Sequence, residues 1–590
     1  MRRIGICWLV LAALAATPPA LAQGDPAARI EAVKNHLERL EKLGFAGVFV
    51  ATQGGVPILA EGYGLADRAA GLPWTPGTVS TIGSLTKQFT GATVLMLAEE
   101  GKLAVEDSIA EYFDAVPEDK VGITLHQLLT HSSGIVDLEG VGDWDPIGRE
   151  EFVRRILDQD LAFVPGEGYR YSNAGYSLLG AIVEQLTGSS YESTLRRRAL
   201  IPNGLFETGY LQAGWGEGRI AQGYRRGESW GTVLGRPMAD DGPYWVLRAN
   251  GGIHSTAWEM VRWGQALLDG RALSPRSMEL YWAPHVDEGG GESFYGYGWV
   301  VRDAGGARVV SHNGSNGIFY ADMAIIPDAK SILVYMTNVA SEFPVARQLF
   351  GQVGYFLLAG RPLPPVPELV EVEAGALEPL TGLYELPAES GGGRLEVALA
   401  QRDSGPRELT IRPADPVAFG RLFSTRPYDP RRGESLSARL DEIVGASLGG
   451  DLEPLAAAYD HRVTAEYLAG RWAEERQRLE EAHGDLTGSR VLGTAFQDGR
   501  DVTLVRIEFA EGWVDRAYVW DADADAELRG VSRQGLDDRL HVLPGPDGSF
   551  ATWDGRSGES RVVRFEELGG GGYRLVIGEE PAVVATRLPE

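Results

Sequence analysis

The 590-residue chain has a formal net charge of −27 at pH 7. That balance argues against nucleic acid or anionic lipid as a partner and fits a protein kept in solution by its own charge. The length is enough for more than one domain, each with a sizeable core.

In chain order, the first feature is a three-part secretory pattern over 1–22. Arg2 and Arg3 give a positive start, Cys7 to Ala16 is a short apolar run, and Ala20-Leu21-Ala22 precedes Gln23. The run is too short to span a bilayer. The expectation is an exported protein, periplasmic or secreted, with no membrane span after signal removal. Cys7 is the only cysteine, so the mature chain would hold no thiol or disulfide.

Phe45 to Val50, a Gly-Gly turn and Val56 to Ala60 then read as strands. Leu85 to Glu99, Leu125 to Thr130 and Tyr176 to Thr187 read as helices. Strand patterns return at Tyr297 to Arg302, Arg308 to His312, Phe319 to Ile326 and Ser331 to Thr337. Strands at both ends of one region suggest a single sheet with a helical region inserted between its halves. Val345 to Ala359 looks like a terminal helix, and the Pro-rich stretch 362–367 like a stiff linker. The expected domains are a first one over 23–361, a β-rich module over 362–430 that strands of 540–590 could complete, and a helix-plus-sheet module over 431–539. In the β-rich module, Leu380 to Phe423 reads as strands. No internal repeat is apparent.

The central chemical signal is Ser84-Leu85-Thr86-Lys87. On a helix, this spacing puts both side chains on one face, one turn apart. The following residues, Phe89 to Leu97, are apolar nearly all round, as in a buried helix. Burial disfavours an ammonium, so Lys87 could act as a base near neutral pH. Ser84 would lie beside free backbone N–H groups suited to an oxyanion. By itself the pair fits a surface lysine beside a helix-capping serine better. Two further motifs change that reading. Tyr171-Ser172-Asn173 follows a turn-rich approach to a helix, and a phenol near two cations loses its proton more easily and can relay it; a core tyrosine with a satisfied hydroxyl is the plainer alternative. His312-Asn313-Gly314, followed by Ser315-Asn316-Gly317, closes a strand, where a glycine would let substrate approach the backbone.

Ser-x-x-Lys, Tyr-x-Asn and His-x-Gly, in this order, resemble the serine β-lactamase-like family, in the branch of class C β-lactamases, D-aminopeptidases, D,D-carboxypeptidases and related esterases. Leu128 to Gly134, Asn250 to Ala257 and Tyr295 to Trp299 are similar to its supporting stretches. The resemblance covers about residues 35–358. It implies an α+β fold, an antiparallel sheet flanked by helices with a helical lobe, to which the C-terminal β-rich and α+β modules are added. It also implies roles: Ser84 as acylated nucleophile, Lys87 as proton acceptor or as the group that keeps Tyr171 basic, and Tyr171 as proton shuttle. Asn173 would bind the acyl side of the substrate, His312 and Gly314 would line the site, and the N–H groups of Ser84 and Ser315 would form the oxyanion hole. The identity of the base stays open. His312 stands where classical β-lactamases carry lysine. A histidine only partly charged near pH 7 weakens the case for β-lactams and carboxylate-ended peptides. Esters, amides and D-amino-acid peptides are the expected substrates, with an esterase or peptidase favoured over a true β-lactamase. The alternative is an inactive binding protein of the same fold.

Competing signals are weaker. Gly445-Ala446-Ser447-Leu448-Gly449 fits the nucleophile-elbow pattern but lacks the strand before it that the motif requires, and reads as a turn between helices. His461, His483 and His541 are its conceivable partners. His131 and His254 read as hydrogen-bonded structural histidines. No cofactor and no metal site is implied. The expected partner is a small-molecule or peptide substrate, and the sequence leaves the oligomeric state open.

Overall fold

The computed structural model describes residues 25–589 apart from short stretches at 217, 226, 305, 389–390, 401–406, 460–462, 498, 522–526, 533–537, 555–557, 570–571 and 580–581. The signal pattern over 1–22, Cys7 and His461 lie outside the described residues. The chain divides into two compact units, up to Pro364 and from Pro365 onward.

The first unit is built on one antiparallel sheet. Its strands are β1 (Gly47–Gln53), β2 (Val56–Tyr63), β9 (Val286–Asp287), β10 (Ser293–Tyr295), β11 (Val300–Asp303), β12 (Arg308–Ser315), β13 (Tyr320–Ile326) and β14 (Ser331–Thr337). Their spatial order is β2-β1-β14-β13-β12-β11-β10-β9. Short ribbons pair β3 (Leu65–Asp67) with β4 (Leu72–Pro73), β5 (Ser80–Thr81) with β8 (His254–Ser255), and β6 (Gly223–Arg225) with β7 (Glu228–Gly231). β1 lies beside β14 with Val48 opposite Met336, so the first and last strands of the sheet in chain order pair directly. All but the last residue of β1 are buried, which is why its sequence is a continuous apolar run rather than an alternation.

The helices are α1 (Pro26–Lys42), α2 (Thr86–Glu99), α3 (Leu125–Leu129), α4 (Arg149–Leu157), α5 (Asn173–Thr187), α6 (Tyr191–Leu195), α7 (Ala257–Leu268), α8 (Pro275–Tyr281) and α9 (Ala346–Ala359). α7 and α9 cover opposite faces of the sheet. A side chain at Gly264 of α7 would meet Met323 and Ile332, whereas one at Gly354 of α9 would meet Leu333; Ile332 and Leu333 are successive residues and point to opposite faces. α2 is buried from Thr86 to Leu97 and packs against α5, α6 and α8. This is the α+β arrangement expected, with an antiparallel sheet flanked by helices and a helical lobe.

The second unit holds a closed barrel of β15 (Gly382–Glu385), β16 (Arg394–Ala400), β17 (Glu408–Pro413), β22 (Leu540–Pro544), β23 (Phe550–Thr552), β24 (Val562–Leu568), β25 (Gly572–Ile577) and β26 (Val583–Arg587). A short α10 (Ala374–Leu377) precedes β15, and between β17 and β22 the chain forms α11 (Pro416–Phe423), α12 (Pro430–Leu448), α13 (Glu453–Ala458) and α14 (Ala465–His483). A four-stranded sheet follows, β18 (Leu486–Gln497), β19 (Arg500–Phe509), β20 (Gly512–Trp520) and β21 (Leu528–Ser532). Phe419 and Leu422 of α11 share one apolar core with Leu395, Ile411 and Leu575 of the barrel. The expectation of strands through Phe423 is corrected over 416–423. Pro416 opens a helix there, and Asp415 Oδ1 accepts the Ala418 N–H at 2.9 Å, the start signal of an N-cap.

Candidate active site

Ser84 sits in a single 3-10 turn, Gly83–Leu85, that runs into α2. Gly83 has φ +51, a conformation open to glycine at little cost. The turn is pressed against the end of β12. A side chain on Gly83 would come within 2.7 Å of the Ser315 N, and one on Gly314 within 2.0 Å of the Ile82 O and 2.6 Å of the Ser84 N. The two glycines let the turn that carries Ser84 and the strand touch backbone to backbone. Gly314 was expected to make room for substrate; the atoms that need its missing side chain are those of Ile82 and Ser84. The same contact places the backbone nitrogens of Ser84 and Ser315 beside the two glycines.

One turn further on, Lys87 is fully buried. Its Nζ lies 3.3 Å from Ser84 Oγ, 2.8 Å from Asn173 Oδ1 and 2.9 Å from the carbonyl oxygen of Asn250. Burial lowers its pKa from 10.5 to about 7, against an upward pull from Asp137 and Asp143. The neutral amine is therefore within reach near pH 7. A neutral amine has two N–H groups and one lone pair. Asn173 Oδ1 and the Asn250 carbonyl can only accept, so they take the two N–H groups, and the lone pair is left facing the Ser84 hydroxyl. The Asn173 amide is oriented by Asp137, whose carboxylate accepts from Asn173 Nδ2 at 3.4 Å. Asp137 also accepts the Ala174 N–H at 2.8 Å, where α5 begins, a favourable place for a carboxylate.

Tyr171 stands over Lys87, with Nζ 4.8 Å from its ring centre. It is 37 % exposed, at the mouth of the site rather than in the core. The crowding of its inner end pushes the phenol pKa up, a hydrogen bond to Ser84 opposes this, and the Asp137 and Glu288 carboxylates add to the rise. The phenol is thus less acidic than the expectation of two neighbouring cations implied, because burial and the two carboxylates outweigh any such pull. His312 is 5 % exposed, and burial with the nearby Lys87 charge depresses its pKa to about 3. Its Nδ1 lies 2.6 Å from the Asn313 carbonyl and its Nε2 2.9 Å from Tyr295 Oη. A carbonyl can only accept, so Nδ1 carries the proton and Tyr295 donates to Nε2. His312 is a neutral, doubly bonded imidazole near pH 7, not the partly charged group expected.

Ser84, Lys87, Tyr171, Asn173, His312, Gly314 and Ser315 come from three separate stretches of sequence and meet at the junction of α2, α5 and β12. Residues 33–353 match the Beta-lactamase family, more than half of the chain. The chain belongs to the serine β-lactamase-like family. A penicillin-binding protein of Bacillus subtilis is 28 % identical over 325 residues, covering 52 % of this chain and 72 % of that protein. Esterase EstB of Burkholderia gladioli is 32 % identical over 224 residues, 35 % of this chain and 57 % of that one. Among solved structures, an octameric penicillin-binding protein homologue from Pyrococcus abyssi aligns over 95 % of this chain and all of its own, with a TM-score of 0.51 and 19 % identity. That likeness concerns the fold alone.

Within this β-lactamase-like site, sequence reasoning missed Asp137, Tyr295 as the partner of His312, and the backbone carbonyl of Asn250. Asn250 and Tyr295 do lie in stretches that resemble the family. Asp137 follows Gly134 by three residues, and no spacing rule in the sequence ties it to Asn173.

His131 is 1 % exposed, and its Nδ1 accepts the Ser172 N–H at 3.1 Å, so it holds the turn that carries Tyr171. His254 lies in β8 opposite Thr81, again a structural place. Ser447 lies in the last turn of α12, not in a turn between helices. Its Oγ donates to the Ile443 carbonyl at 2.8 Å. His541 pairs with Glu408 at 2.7 Å and His483 ends α14. No helix among the described residues is long and apolar enough to cross a membrane.

Proposed function

We propose that this protein is an exported serine hydrolase that works through an acyl-enzyme formed on Ser84. The observation that carries the reading is the fully buried Lys87, whose two acceptor-only partners leave its lone pair facing the Ser84 hydroxyl. As Ser84 Oγ attacks a substrate carbonyl, its proton passes to Lys87 Nζ. The oxyanion is received by the N–H groups of Ser84 and Ser315. The leaving group takes a proton delivered through the Tyr171 hydroxyl, whose raised pKa suits a donor better than a standing phenolate. Water then repeats the sequence in reverse and frees the acyl group. Lys87 is the base in this scheme.

The substrate class follows from charge. A neutral His312 offers no fixed cation to a substrate carboxylate. Esters, amides and D-amino-acid peptides therefore suit the site better than β-lactams or carboxylate-ended peptides. A relative named as an esterase is consistent with that preference.

The test is a fluorophosphonate probe on the purified protein, with the labelled peptide mapped by mass spectrometry. Label on Ser84 that disappears in Lys87→Ala supports the reading. A folded protein that takes no label favours a non-catalytic binding protein of the same fold, and label on Ser447 would mean a different nucleophile.

A further inference from the structure

α5 reaches Lys87 in two ways. Asn173, its first residue, bonds Lys87 Nζ directly. Ser177 and Gly180 follow at i+4 and i+7, on the same face of the helix, and they meet the segment 246–251 that supplies the other acceptor. Ser177 is fully buried. Its Oγ donates to the Arg248 carbonyl at 2.8 Å and accepts from Asn250 Nδ2 at 2.9 Å; Asn250 Nδ2 also donates to the Val246 carbonyl at 2.8 Å. The residue between those two contacts, Ala249, has φ +67, a left-handed backbone that alanine seldom adopts unless its surroundings impose it. A side chain on Gly180 would lie 2.5 Å from the Ala249 methyl, so the glycine is the notch that admits it. Thr90 Oγ1 donates to the Ala249 carbonyl at 2.6 Å, and the Ala249 N–H donates to Tyr210 Oη at 3.0 Å. The segment is held in a strained form, and that form delivers the Asn250 carbonyl to Lys87 at 2.9 Å.

We propose that Ser177 is a positioning residue for Lys87: together with the notch at Gly180, it fixes the Asn250 carbonyl as the lysine's second acceptor and so keeps the Nζ lone pair aimed at Ser84. The inference rests on the reading of Lys87 as the base. Ser177 is too far along α5 to share Asn173's direct contact, and its two bonds bracket the strained residue rather than the reacting atoms. The other charged or titratable groups that act on Lys87 or pack beside it are Asp137, Asp143, His131, His312, Tyr171 and Tyr176. None of them bonds Ser177, so its replacement leaves them in place.

The test uses the full chain, which has only six lysines. Protein labelled with 13C at the lysine side chains is titrated by NMR, and the Lys87 signal is assigned by its loss in Lys87→Arg. The same variants are followed for the pH dependence of fluorophosphonate labelling at Ser84 and for thermal unfolding. In Ser177→Ala the carbonyl that faces the ammonium is no longer held, which favours the neutral amine. The Lys87 midpoint should fall by roughly half to one pH unit, and the high-pH labelling rate should drop roughly tenfold because the lone pair is no longer aimed. Gly180→Ala, which pushes Ala249 out of its notch, should move both in the same direction. A Lys87 midpoint unmoved in Ser177→Ala, with only the melting temperature lowered, overturns the proposal and leaves Ser177 a packing residue. The NMR titration reads Lys87 whether or not Ser84 reacts. A wild type that fails to label therefore overturns the acyl-enzyme reading, while the titration still decides the positioning role.

Discussion

The two units bury their polar groups differently. Around α2, the first unit encloses Thr86, Lys87, Gln88, Thr90 and Thr93, and Ser177 and Asn250 lie beside them. The core shared by the barrel and α11 in the second unit is apolar, from Tyr384 and Leu395 to Ile577 and Ala585. The second unit also buries a cluster of hydroxyls that bond one another: Thr494 lies 2.8 Å from Ser437 and 2.7 Å from Thr503, and Thr503 receives the Trp520 indole N–H at 2.7 Å. Burying polar groups is costly unless they are paired. In this hydroxyl cluster of the second unit the pairing closes on itself. In the first, the chain of bonds ends on an amine beside a hydroxyl at the start of a helix, and that open end is where proton transfer can occur.

The same contrast separates the two serines that the sequence offers. Ser84 begins a helix and has a depressed amine beside it. Ser447 ends one, and its proton already goes to Ile443.

The largest effects should come from breaking the open end of the first network. Ser84→Ala should abolish fluorophosphonate labelling, and Lys87→Ala should slow it by about a thousandfold, measured as the second-order labelling rate on folded protein. Tyr171→Phe should lower turnover of an ester with a poor leaving group by about a hundredfold, with a smaller loss for an activated ester that needs no proton; equal losses would remove Tyr171 from the shuttle. The pH profile sharpens the contrast without mutation. In the proposed mechanism the reactive form is the neutral amine of Lys87, whose pKa is lowered to about 7. Labelling should therefore rise with pH through about 7 and level off above it. A midpoint near the ordinary lysine value would place the base elsewhere.

In the closed network of the second unit, Thr494→Val should leave Ser437 and Thr503 short of a partner. It should cost about 1–3 kcal/mol of stability in denaturant unfolding with no change in labelling. The smallest effect belongs to Ser447→Ala, within about 1 kcal/mol and again without effect on labelling.

Much of the first unit was legible beforehand because its signals are local. The buried strands are continuous apolar runs, and α2 is apolar nearly all round; such patterns depend on a few neighbouring residues. The second unit was harder. Residues 416–423 have enough apolar side chains to read as a strand, and the Asp-Pro start that makes them a helix is a weaker signal than the run it precedes. In the site, Ser84, Lys87, Tyr171, Asn173 and His312 stood out by residue type and spacing. Asp137 and the Asn250 carbonyl did not, since one is an unremarked carboxylate in a loop and the other is backbone.

By itself, the sequence determined which side chains are available for chemistry, the helix that puts Ser84 and Lys87 on one face, and the strands that frame them. Those follow from residue type and from periods of two and 3.6 residues. Only the tertiary structure decided the protonation states. Lys87 is lowered and Tyr171 raised because atoms from distant segments exclude water from them, and His312 is neutral because burial and the nearby Lys87 charge disfavour its second proton. A charge depends on everything packed around it, and that packing is not written at any one position in the chain.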